Sequence, residues 1–116
     1  MKKQRKIFET RAFSKEIANL ISKHSLSKED YDRFRKELAE YPDKAPVLTG
    51  TGGVRKARLK SSSRGKSGGF RVCYLYYTAD EEIYLLFIFQ KNEQENLTVE
   101  QRESLKDIVK AIKEMK

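Results

Sequence analysis

"VRKARLKSSSRGKSGGFRVCYLYYTADEEIYLLFIFQ", Val54 to Gln90, decides how this chain folds. It holds three segments of β-type composition, Val54 to Lys60, Phe70 to Thr78 and Ile83 to Gln90, separated by SSSRGKSGG and TADEE. Such short connections predict an antiparallel meander. In the second and third segments both faces are apolar, as in central strands that helices cover on at least one side.

Outward from this stretch the periodicity turns helical. Phe13, Ile17, Leu20 and Ile21 lie on one helical face and predict a helix from about Arg11 to His24. A second helix starts at Ser27, whose hydroxyl caps it, with Asp30 in the first turn and Leu26 stapled to Tyr31. Phe34, Leu38 and Tyr41 carry its stripe until Pro42 stops it. On the other side, Thr98 and Gln101 form a capping-box pattern, followed by the stripe Leu105, Ile108, Val109, Ile112 and Met115. Lys6 to Glu9 reads as an edge strand. The order β-α-α-β-β-β-α predicts an α+β fold, a small antiparallel sheet with a mixed edge flanked by helices. With 116 residues, no repeat and no linker, residues 1–116 read as one domain.

Charge is distributed unevenly. No carboxylate lies between Asp43 and Asp80, while Arg55, Lys56, Arg58, Lys60, Arg64, Lys66 and Arg71 all do, together with all six glycines. The formal charge of +8 favours an acidic partner, whether nucleic acid, an anionic membrane or an acidic protein. The longest apolar run, Ile83 to Phe89, is too short for a membrane helix, and no signal-peptide core is evident, so a cytoplasmic protein is expected. One cysteine and one histidine leave no internal disulfide and no zinc-type cluster, so neither a metal nor another cofactor is expected.

Strand alternation puts Lys56, Arg58 and Lys60 on one face. Arg71 shares parity with Cys73 and Leu75, and because an unpaired buried charge is costly it is expected at an open sheet end. Antiparallel pairing would bring Lys91 near it. SSSRGKSGG is not a nucleotide-binding P-loop, since it lacks the GxxxxGK[ST] spacing and does not join a strand to a helix. Cys73 reads as a small core residue, His24 as a partner of a helix C-terminus, and Tyr74, Tyr76 and Tyr77 as packing residues. Edge lysines that only keep a strand soluble remain the plain alternative for any single cation here.

GTGGVRKARLK, then RGKSGGFRVCYLYY, then IYLLFIFQKNEQENLT together resemble the HigB-like branch of the RelE/ParE superfamily of toxin–antitoxin toxins. The resemblance runs from the second helix to the last. It implies a ribosome-dependent mRNA endoribonuclease that needs no metal, cuts in the ribosomal A site through attack by the ribose 2′-hydroxyl, and so inhibits translation. It further implies a helix-turn-helix antitoxin of the HigA-like kind as partner, beside the ribosome and its mRNA. Carried over by position, Arg71 is the transition-state arginine, Lys56 and Arg58 the basic strand pair, and Lys91 a basic residue at the KNE position. Lys56 or Lys91 is then a candidate base. Arg55, Lys60, Arg64 and Lys66 fall to RNA or ribosome binding. The chain departs from some RelE-type toxins by having Asn92 after that lysine, and Thr98 where they place a tyrosine. Two other readings stand beside this one: a ParE-like inhibitor of DNA gyrase, and a non-catalytic basic protein that binds nucleic acid or the ribosome.

Overall fold

A computed structural model of the chain describes residues 5–62 and 69–116. Its elements are β1 (Lys6–Glu9), α1 (Arg11–Ser22), α2 (Lys28–Glu40), β2 (Val54–Leu59), β3 (Phe70–Tyr77), a single 3-10 turn at Thr78–Asp80, β4 (Glu82–Gln90) and α3 (Val99–Met115). The expected order is observed. The sheet runs β1-β4-β3-β2, antiparallel except where β1 pairs parallel to β4 as a mixed edge.

The helix boundaries follow the capping chemistry. Thr10, Ser27 and Thr98 each accept a hydrogen bond from the backbone N–H three residues on, and Gln101 reaches back to the Thr98 N–H to complete the capping box. His24 lies beyond α1 with a positive φ of 61°, so it belongs to the reversal that ends the helix. The N–H groups of Ser25 and Leu26 return to the Leu20 carbonyl there.

Helices cover both faces. Phe13, Ile17 and Leu20 of α1 and Tyr31, Phe34 and Leu38 of α2 pack on Leu59, Phe70, Val72, Tyr74, Ile83, Leu85 and Ile88. Leu105, Val109 and Ile112 of α3 pack on Val54, Cys73, Leu75, Leu86 and Phe89 from the opposite side. Each such side chain contributes roughly 1.5–3 kcal/mol by leaving water.

The phase of β4 changes along its length. Cys73 pairs with Phe87 and Tyr74 with Leu85, which leaves Leu86 as the extra residue of a β-bulge. As a result Ile83, Leu85 and Ile88 face α1 and α2, whereas Leu86 and Phe89 face α3. This bulge is what sets Phe89 opposite Arg71.

Candidate nucleic-acid site on the β2 and β3 strands

The pairing of β2 with β3 builds the site. Lys56 lies opposite Cys73 and Arg58 opposite Arg71, on the α3 side of the sheet. Directly opposed Cα atoms in such a pair are about 4.5–5.5 Å apart. Two arginines are therefore held face to face, an arrangement that is unfavourable by itself. Arg58 is exposed, Lys56 half-buried and Arg71 buried at 8% exposure.

Arg71 sits near the start of its strand as expected, yet the sheet end is not open there and the residue is buried. The Phe70 carbonyl accepts from its Nη1 at 3.3 Å. Burial, and then the neighbouring charge of Arg58, push its guanidinium below the ordinary arginine value. An oxyanion laid between the two forks would reverse the sign of that interaction, and the planar guanidinium suits two phosphate oxygens.

Lys91 follows β4, and its backbone N–H donates to the Gly69 carbonyl at 3.2 Å. It stands two residues beyond Phe89, the partner of Arg71. Gly69, with φ of 57°, makes this closure possible. A Cβ there would lie 2.5 Å from the Leu59 carbonyl oxygen.

The remaining cations separate by position. Arg55 points the other way along the alternation, and its guanidinium donates to the carbonyls of Asp43 (3.0 Å) and Ala45 (2.6 Å). The fold thus uses it as a brace for the segment before the glycine turn. Lys60 is exposed just past β2. Arg64 and Lys66 lie outside the described residues. Just before them, Ser62 is anchored to Asp30, whose Oδ2 accepts from the Ser62 backbone N–H (2.7 Å) and hydroxyl (2.8 Å). Those bonds, with Arg33 adding another, hold the Asp30 carboxyl down at about 2 although it is buried.

Sequence reasoning gave Arg102 of α3 no role. Its Nη1 donates to the Thr49 carbonyl at 3.0 Å, and Lys113 donates to the Gly52 carbonyl at 3.1 Å, so α3 is pinned to the glycine turn from two points. The signal was present in the α3 stripe: position 102 continues the spacing of Leu105, Val109 and Ile112 by one turn. GTGG itself is structural. The buried Thr51 hydroxyl bonds the Leu48 carbonyl and the Val54 N–H, and Gly52 lies against Val109.

Other sequence readings resolve as packing. Cys73 is fully buried and burial pushes its thiol up to about 12. Tyr74 is equally buried and donates to the Pro42 carbonyl at 2.6 Å. Tyr76 links Arg5 and Glu81 by hydrogen bonds. Among the described residues no three His, Cys, Asp or Glu gather to hold a metal ion, and no helix is long and apolar enough to cross a membrane.

Comparison with known proteins adds two findings. Residues 5–116 match the family described as the RelE toxin of the RelE/RelB toxin–antitoxin system. Among solved structures, a double mutant of the E. coli toxin RelE in the free state is similar in fold, with a TM-score of 0.54 and 18% sequence identity over 80% of this chain and 90% of that one.

Proposed function

Because this chain belongs to the RelE toxin family, we propose that it is the toxin of a type II toxin–antitoxin pair and acts as a ribosome-dependent mRNA endoribonuclease. The observation that supports this best is the opposition of Arg58 and Arg71, with Lys56 one step along the same strand face. A phosphate between the two would meet both guanidinium groups. In this reading the 2′-hydroxyl of an A-site nucleotide attacks the adjoining phosphorus, the bond to the 5′-oxygen of the next nucleotide breaks, and a 2′,3′-cyclic phosphate and a 5′-hydroxyl result. Arg71 and Arg58 hold the charge that builds on the non-bridging oxygens. Lys56 or Lys91 handles the proton of the attacking hydroxyl. The ribosome supplies the in-line geometry that an isolated RNA strand lacks.

The partners that follow are the ribosome with its mRNA and an antitoxin of the HigA-like, helix-turn-helix kind, in the cytoplasm. The chemistry is tested by programming ribosomes with an mRNA carrying a single 2′-deoxy sugar at the cut position. Cleavage should be lost at that position alone, and the all-ribose product should carry a cyclic phosphate. Cleavage that survives the 2′-deoxy sugar would contradict the mechanism. Gyrase inhibition without any RNA cut would support the ParE-like reading instead.

A further inference from the structure

We propose that the cleft between α2 and the outer edge of β2 receives a nucleotide of single-stranded RNA, with its base inward and its phosphates toward the cations at the opening. The nuclease reading supplies the identity of the polyanion, and the cleft supplies its preference for particular bases.

The cleft holds about 460 Å³, within the range of small-molecule sites. Phe34, Leu38, Ala57 and Tyr74 line it, and Tyr41, at 53% exposure, stands beside them at the end of α2. Among the described residues five cations border it, Arg33, Lys44, Lys56, Arg58 and Lys60, against the carboxylates Asp30 and Glu37. Asp30 is already bonded to Ser62 and Arg33, so the field at the opening is positive. An exposed aromatic ring next to a cationic track is the arrangement by which proteins hold unpaired bases.

The track has a regular spacing. Lys56 and Arg58 are alternate residues of β2, so their stems repeat about every 6.7 Å along the strand. A phosphate chain can follow such a ladder while its bases turn to the side. Lys56 and Arg58 border the cleft from β2, and Arg58 is also the partner of Arg71 across the β2/β3 ladder.

A peptide adding to the sheet fits less well. The chain's own segment at Pro46 to Leu48 already pairs with the outer edge of β2, through Lys56 N–H to the Pro46 carbonyl (3.2 Å) and Leu48 N–H to the Val54 carbonyl (2.7 Å). The backbone groups that an added strand would use beside the cleft are therefore occupied along that stretch.

The test is titration of the full ¹⁵N-labelled chain with a 5′-mononucleotide and with a short single-stranded RNA, followed at the amides of Leu38, Tyr41 and Ala57. Saturable shifts are expected at these residues, with about tenfold weaker binding for Tyr41→Ala and near-normal binding for Tyr41→Phe. In ribosome-programmed cleavage Tyr41→Ala should raise KM, leave kcat close to wild type, and alter which codons are cut. Silent cleft amides, a Tyr41→Ala protein that matches wild type in both assays, or a response to an acidic peptide but not to nucleotides would each overturn the proposal. The two readings fail separately: cleavage that depends on Arg71 with a silent cleft removes only the cleft, and nucleotide binding in the cleft without any cleavage removes only the nuclease.

Discussion

Arg71 and Gly69 show what single residues contribute. Arg71 was visible in the sequence as a cation at the head of an apolar strand, but not its burial, because parity says which face a residue shares and not how deeply neighbours cover it. Its opposition to Arg58 depends on a register that only the closed hairpin fixes. Gly69 is part of that closure. Replacing it with alanine forces a Cβ against the Leu59 carbonyl and a left-handed backbone on a side chain, so Gly69→Ala should destabilise the protein by about 1–3 kcal/mol. Urea denaturation followed by circular dichroism checks this. An unchanged midpoint would mean that the hairpin end tolerates displacement and does not fix the register of Arg71.

At the scale of elements, the helices were readable because caps and stripes are local: Ser27, Thr98 and Gln101 make the bonds their spacing implies. The strands were readable as strands, and so was the alternation of β2 and β3, whereas the phase of β4 was not. Both faces of β4 are apolar, so nothing in its pattern marks Leu86 as the bulged residue. The parallel partner of β1 was likewise not encoded in a four-residue strand. One link between elements gives a pH test. Asp30 ties the start of α2 to Ser62 after β2, and its carboxyl is lowered from 3.8 to about 2 mainly by the Ser62 backbone bond. Between those values the unfolded chain binds more protons than the folded one, so this contribution is complete above about pH 4 and is lost as pH falls toward 2. Asp30→Asn should lower stability at neutral pH by on the order of 1 kcal/mol after solvent screening, and flatten the acid limb of the stability profile. Parallel acid limbs for the two proteins would show that the anchor carries no such weight.

For the whole molecule, the formal charge is +8, and among the described residues five cations border the cleft. Composition revealed that excess, and the gap between Asp43 and Asp80 revealed its place in the chain. What composition could not supply was the place of α3, which Arg102 and Lys113 pin to the glycine turn. The fold class was therefore legible, as was the shared strand face of Lys56 and Arg58, whereas the packing of α3 was not.

In the proposed function the opposed cations Arg58 and Arg71 carry RNA cleavage on the ribosome. Primer extension on an mRNA incubated with the purified protein, with and without translating ribosomes, compares wild type with Arg71→Ala. Cuts at A-site codons that require ribosomes and fall at least a hundredfold in the variant, with the variant shown to be folded, are the predicted result, since about 3 kcal/mol of transition-state stabilisation is typical of one such donor. A folded wild-type protein that leaves the mRNA intact on translating ribosomes, or an Arg71→Ala protein that cuts as fast as wild type, would contradict it.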